Sequence, residues 1–315
     1  MNNRALIFGI SGQDGSYLAK LLISKGYKVY GTSRKEKFSN LELLGIANSV
    51  NVMNVDIESY EQVNSIILAV NPSEIYYLAS QSSVGLSFDI PSETIKSCIL
   101  GLLNVLEVCR KNQLVTKIYN AGSSECFGDN NGKPITENSI FLPKSPYAIG
   151  KASSHWLIQT YRESYSIFAC TGFLFNHESR LRPDRFVTKK IISTVKRIAE
   201  GSDEMLKLGQ MNIYRDWGFA PEYVDAMWRI LQQDEADDFV IATGKSSSLQ
   251  DFVVTAFEAF DLDWSKHVTQ SQEFFRPNEL LYSVGDPSKA EKKLNWKAEK
   301  TMTDVVRCMI DNVDL

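Results

Sequence analysis

Through the first half of the chain, short apolar runs alternate with longer stretches in which apolar residues recur every three or four positions. The runs "RALIF", "KVYGTS", "NVMNV", "EIYYLA", "KIYNAGS" and "ACTGFLF" read as strands. Between them, "SYEQVNSIILAV", "ETIKSCILGLLNVLEVCRKN" and "SPYAIGKASSHWLIQTYRES" carry the spacing of helices with one apolar face. This rhythm predicts the α/β class, as a doubly wound parallel sheet with helices on both faces. After Phe175 the chain turns to "NHESRLRPDR", rich in charge and poor in apolar residues, which predicts a loop leaving the sheet. We therefore expect a first domain over residues 1–175 and a smaller C-terminal α/β lobe over 176–315 that binds the substrate. Parts of 215–245, including "EYVDAMWRILQQ" and "DFVIATG", are expected to return to the first domain as a helix and a strand.

The first strand runs into "FGISGQDGSYLAKLL", where Gly9, Gly12 and Gly15 precede a helical pattern. A glycine triplet alone is a weak signal, and it gains meaning from the strand before it and the helix after it. In such a unit the first glycine permits a tight turn, the second lets the backbone approach a pyrophosphate, and the third lets helix and strand pack closely. The dipole and free N–H groups of the helix start attract the anion. The prediction is a nucleotide-binding Rossmann domain. Gln13 and Asp14 in the turn, Ile57 after the third strand and Leu78 after the fourth are further candidate cofactor contacts. Asp56, also after the third strand, is placed either to meet an adenine or to cap the next helix. The second strand ends in "GTSRKEK", so Thr32, Ser33, Arg34 and Lys35 supply hydroxyls and cations with no acid at the strand end. That favours NADP over NAD, whose ribose hydroxyls usually meet a carboxylate there.

Bulk composition narrows the classes. The chain has 315 residues, 43% hydrophobic and 23% charged, enough for a sizeable core, and its net charge of −4 gives no electrostatic reason for a nucleic-acid or membrane partner. No apolar run reaches the roughly 20 residues of a membrane span, and the N-terminus enters a strand directly, so a cytoplasmic protein is expected. The five cysteines show no C-x-x-C, and the three histidines are scattered. Buried reduced thiols and no protein-held metal are the expectation.

Two further clusters carry chemistry. Tyr147 and Lys151 lie four apart on a predicted helix, which puts phenol and ammonium on one face. An ammonium there is expected to lower the phenol toward neutrality and suit it to take a proton from a sugar hydroxyl during hydride transfer. At the end of the fifth strand, "NAGSSECFG" carries Ser123, which can hydrogen-bond Tyr147 and the reacting hydroxyl. It also carries Glu125, a carboxylate that simple hydride transfer does not require. A second proton transfer is implied.

Together, G-x-x-G-x-x-G, Ser-x-Glu and Y-x-x-x-K resemble the extended short-chain dehydrogenase/reductase family. The segments "LFNHESRLRPDRFVTKKI", "RDWGFAPEYV", "DFVIATG" and "RPNE…GDPSKAEKKLNW" resemble its GDP-mannose 4,6-dehydratase branch over nearly the whole chain. The resemblance implies that Glu125 is the acid/base, Tyr147 and Lys151 the catalytic pair, and Ser123 the residue standing where Thr is usual. It also implies that Ser82, Asn176, Lys190, Arg215, Arg276 and Glu279 bind the nucleoside diphosphate sugar. Tyr147 with bound NADP would oxidise carbon 4, the ketone would acidify the proton at carbon 5, and Glu125 would remove it while water leaves from carbon 6. Epimerases and 4-reductases of the same scaffold would not need Glu125. Ser83 stands where His is common, which keeps a related GDP-heptose open as substrate. The segment after Arg34 is shorter than the Arg-rich loop through which relatives reach a neighbouring subunit, so a homodimer or homotetramer is expected with the dimer as minimum.

Overall fold

The structure is a computed structural model that describes residues 3–34 and 38–314. Lys35 lies outside the described residues. Strands β1 (Arg4–Phe8), β2 (Lys28–Thr32), β3 (Val50–Met53), β4 (Glu74–Tyr77), β5 (Lys117–Ser123) and β6 (Ala169–Leu174) follow the apolar runs. The following strands are β7 (Asn176–Glu178), β8 (Leu206–Leu208), β9 (Tyr214–Phe219), β10 (Phe239–Ile241), β11 (Ser246–Ser248), β12 (Val268–Gln270) and β13 (Tyr282–Ser283). The helices are α1 (Gln13–Ser24), α2 (Ser39–Leu43), α3 (Tyr60–Val70), α4 (Leu86–Asp89), α5 (Pro91–Lys111), α6 (Pro146–Tyr165), α7 (Val187–Ala199), α8 (Ala220–Leu231), α9 (Leu249–Glu258), α10 (Ser288–Leu294) and α11 (Met302–Asp311).

The main sheet is parallel, in the order β10-β6-β5-β4-β1-β2-β3. Its strand order reverses between β1 and β4, which opens a crevice at their carboxyl ends. The central strands β1, β4, β5 and β6 are buried on both faces, which explains their continuous apolar runs. Along β1, for example, Ala5 and Ile7 pack into one core while Leu6 and Phe8 pack into the other. The first core is closed by α1, α8 and α10 and the second by α3 and α5. Thus α8 and β10 join the main sheet and its covering layer, and so does α10 from residues 288–294.

A third core gathers α7, α9 and α11 around Trp217 and Phe219 of β9. Here β9 is central, with β11 antiparallel and β13 parallel to it, and β7 pairs with its far end. The segment "NHESRLRPDR" therefore differs from the expected loop: its first three residues form β7, in register with Trp217, Gly218 and Phe219. Three polar residues give no apolar signal, yet His177 and Glu178 are buried because each finds a charged partner. Among the described residues, no helix is long and apolar enough to cross a membrane.

Candidate active site

The crevice end of the sheet begins with the glycine turn. Gly9 sits at φ +91°, in the left-handed region that favours glycine, and abuts the backbone of Leu78 and Ala79 after β4. A Cβ on Gly15 would lie 2.3 Å from the Gly9 carbonyl oxygen, so this glycine is required by packing alone. Gly12 is different. A Cβ there would meet only the Gly9 carbonyl oxygen, at an ordinary 3.4 Å, and Gly12 gives α1 no capping side chain. The chain thus leaves open space before the first-turn amides of α1, the shape and polarity that suit a phosphate.

The side chains of Gln13 and Asp14 face away from that space, toward residues 177–179. What they can offer a cofactor is their backbone N–H groups. Burial would push the Asp14 carboxyl up, but His177, Gln13 and Arg182 outweigh it and hold the group at about 2. Ser33 lies at the end of β2, with its hydroxyl 2.7 Å from that of Ser11 in the glycine turn, and Arg34 beside it is exposed. Asp56 accepts from the Glu58 amide at 3.0 Å, while the cap of α3 is Ser59, so Asp56 shapes the turn rather than the helix end. Ile57 packs near Gly101, and Leu78 continues the β4 pairing by donating its N–H to Phe8 O at 2.9 Å.

Beyond β5, Ser123 accepts a hydrogen bond from the Glu125 amide at 3.3 Å, capping the short turn Ser124–Phe127 that carries Glu125. Helix α6 starts at Ser145, whose hydroxyl accepts from the Ala148 amide at 3.1 Å, with Pro146 in the first turn. It lays Tyr147 and Lys151 over β5. The Lys151 ammonium is buried, donates to the Ala121 carbonyl at 2.8 Å, and lies 5.8 Å from the Tyr147 ring centre. Here the structure corrects the sequence-based expectation. Burial pushes the Tyr147 phenol above its ordinary value, and the hydrogen bond with Ser123 only partly offsets this. The ammonium is committed to a carbonyl and does not bring the phenol toward neutrality.

Glu125 is half-buried, and burial raises its carboxyl; the Arg215 and Arg276 guanidiniums pull it back, while Glu279 adds to the rise. A carboxyl raised in this way holds a proton more readily than an exposed one, which suits it to take one and return it. Arg215, on β9, is 3% exposed, donates to the carbonyls of Tyr214 and Leu280, and meets Glu279 at 2.8 Å. Arg276 reaches the same Glu279 oxygen at 3.4 Å. Two guanidiniums against one carboxylate leave a net positive charge beside Glu125. Residues from β5, β9 and the segment before β13 therefore converge.

The remaining candidates line up less closely. Asn176 opens β7 opposite Trp217. Lys190 donates to the Lys207 carbonyl at 2.7 Å and lies 3.8 Å from the Phe274 ring centre, two residues before Arg276. Ser82 is exposed in the loop after β4, and the structure joins it to none of the other site residues by a hydrogen bond. Two organising residues were missed by sequence reasoning. Asp216, next to Arg215, accepts from Thr243 N and Oγ1 and from the Gly244 and Gly285 amides, and burial lifts its carboxyl to about 6. His177 joins Asp14 across the two layers. The Arg-Asp pair ahead of Trp217 was the available signal for the first. Among the described residues no group of three or more His, Cys, Asp or Glu is placed to hold a metal.

A doubly wound sheet with a glycine turn at its switch point, and a Tyr/Lys pair on the helix over the fifth strand, defines a short-chain dehydrogenase/reductase scaffold. Solved structures of that kind superpose on it. A Thermus thermophilus UDP-glucose 4-epimerase in complex with NAD matches with a TM-score of 0.85 at 22% identity, over 98% of each chain. A Bacillus anthracis dTDP-glucose 4,6-dehydratase, also with NAD, gives 0.86 at 15% identity over 98% of this chain and 95% of its own. The family model described as GDP-mannose 4,6 dehydratase matches residues 6–309. GDP-mannose 4,6 dehydratase 1 of Arabidopsis thaliana is 40% identical over 98% of this chain and 88% of its own length, and the Homo sapiens GDP-mannose 4,6 dehydratase is 38% identical over 98% and 90%. The chain belongs to the GDP-mannose 4,6-dehydratase family.

Proposed function

We infer that the protein converts GDP-mannose to GDP-4-keto-6-deoxymannose, a lyase reaction with no net redox change. Its family membership supports the overall reaction, and Glu125 carries the mechanism: a half-buried carboxyl with a raised proton affinity, beside the Tyr147/Lys151 pair, is one acid more than hydride transfer needs. When bound, a nicotinamide cofactor supplies hydride acceptance from carbon 4 and hydride return to carbon 6. Tyr147 takes the carbon 4 hydroxyl proton, Ser123 orients both oxygens, and the Lys151 ammonium, held by the Ala121 carbonyl, anchors α6 over β5. Glu125 removes the carbon 5 proton, acidified by the neighbouring ketone, and passes it to the departing carbon 6 hydroxyl; the proton that Tyr147 took from the carbon 4 hydroxyl is returned to carbon 5, so that only water is lost. Arg215 and Arg276, with Asn176, Lys190, Ser82 and Glu279, hold the GDP moiety.

The open cradle at Gly12 supports a dinucleotide, and the structural neighbours bound to NAD support a nicotinamide. NADP is the form we assign, because Ser33 meets the glycine turn, Arg34 follows Ser33, and no acid stands at the end of β2. The five buried cysteines fit a reducing cytoplasm. A homo-oligomer is supported by apolar side chains exposed on the paired helices α5 and α6, with Ile95 36%, Ile149 46% and Trp156 54% exposed. A Trp156→Asp variant with the same mass in light scattering as the unmodified protein would remove that support.

Glu125→Gln tests the function. With GDP-mannose deuterated at carbon 4, label should still reach the bound cofactor, while loss of water falls by about 10²–10⁴-fold. Dehydration at the unmodified rate would show Glu125 to be a loop acid and favour an epimerase or 4-reductase.

A further inference from the structure

Strand β7 is three residues long, and the two-residue period of a strand sends Asn176 and Glu178 to one face and His177 to the other. Glu178 stays within its own lobe, paired with Arg182 at 2.9 Å and Thr188 Oγ1 at 2.7 Å. His177 reaches across to the first turn of α1. Its Nδ1 is 2.7 Å from the Phe175 carbonyl oxygen and its Nε2 is 3.0 Å from Asp14 Oδ2. The carbonyl can only accept, and Asp14, held ionised, can only accept as well. A neutral imidazole has a single N–H, so one of these contacts would set two lone pairs against each other. The doubly protonated ring satisfies both.

The surroundings agree. The ring is 8% exposed and stacked on Tyr223 of α8, with centres 4.7 Å apart and planes 22° apart. Burial disfavours its charge and Arg182, after β7, repels it, yet Asp14 and the Phe175 carbonyl outweigh both. Tyr223 adds no charge, because burial keeps its phenol protonated. Gln13 completes the tie: its amide donates to the His177 carbonyl at 3.2 Å and to Asp14 at 3.0 Å, and its oxygen accepts from Ser179 at 2.8 Å. The helix turn that faces the cofactor diphosphate is thus clasped by the strand that begins with Asn176.

We propose that His177 is a buried imidazolium that positions the cofactor-binding turn of α1 against the sugar-binding lobe, acting through Asp14 and Gln13 as a positioning residue for hydride transfer. The positioning role rests on the reading that this turn holds NADP; the charge of the ring does not. As pH rises through the ring's own titration, the Nε2 proton is lost, lone pair faces carboxylate, and the clasp loosens.

The charge is read first on the unmodified holoenzyme labelled with 15N-histidine, where the three histidines resolve and His177→Gln assigns one of them. Both ring nitrogens of His177 should be protonated at pH 7.5. A neutral ring at that pH overturns the proposal, and this readout needs no activity. The second readout is NADPH dissociation against pH. It should quicken about tenfold across the ring's titration and by a similar factor in His177→Gln. In Asp14→Asn the amide can donate to a neutral Nε2, so the pH dependence should flatten. Dissociation that is independent of pH in the unmodified protein and unchanged in His177→Gln overturns the positioning role. A protein that binds no NADPH overturns the cofactor reading instead, and the ring nitrogens still decide the charge.

Discussion

The two halves of the site meet at Glu125 but are built by different means. On the sheet side, Ser123, Tyr147 and Lys151 ride on the ends of long regular elements, a seven-residue strand and a twenty-residue helix. Their geometry is fixed by the packing of α6 against β5 and by one buried ammonium-to-carbonyl bond. On the lobe side, Arg215, Glu279 and Arg276 come from a strand and an irregular segment, held together by charge. Rigid elements place the atoms we assign to the reaction, while an ion cluster places those we assign to substrate binding. A bound phosphate can rearrange an ion cluster by displacing one carboxylate, whereas shifting Tyr147 would require moving a helix.

The largest expected effect lies on the sheet side. Tyr147→Phe should stop both oxidation and elimination, with turnover lower by about 10²–10⁴-fold and no label passing from carbon 4 to the cofactor. GDP affinity should be unaffected by this change. If GDP binding weakened as much as turnover, the two halves would not be separable. On the lobe side, Arg215→Ala should weaken GDP and GDP-mannose alike by roughly ten- to a hundredfold in calorimetry, since the lost contact is to phosphate. It should also leave Glu125 with one cation fewer and move the pH profile of elimination toward higher pH, because Arg215 favours the ionised carboxylate. Unchanged GDP binding would reassign Arg215 to a structural ion pair with Glu279. The smallest effect is at the cofactor rim, where Arg34 is exposed. Arg34→Ala should narrow the preference for NADPH over NADH by about tenfold, an amount limited by solvent screening. Equal affinities in the unmodified protein would remove the case for NADP.

Much of this site was legible before any fold. The glycine turn, the Tyr/Lys spacing and the position of "SSE" at a strand end are all local patterns, and each lands at the crevice end of the sheet. Their electrostatics were not legible. The spacing of Tyr147 and Lys151 implies a lowered phenol, but whether an ammonium serves the phenol or a backbone carbonyl depends on the neighbouring strand. Here the carbonyl of Ala121 receives it, and burial raises the phenol instead.

The sequence alone determined the doubly wound sheet and the glycine turn before α1, because hydrophobic period and glycine placement are properties of consecutive residues. It also marked Gln13 and Asp14, though as cofactor contacts rather than as links between layers. Only the tertiary structure decided that β7 exists, that Arg215 and Arg276 share Glu279, and that His177 meets Asp14 across 163 positions of chain. Such pairs have no local period to announce them. They form where topology brings two buried polar groups together, and each becomes stable only because the other is there to receive its charge.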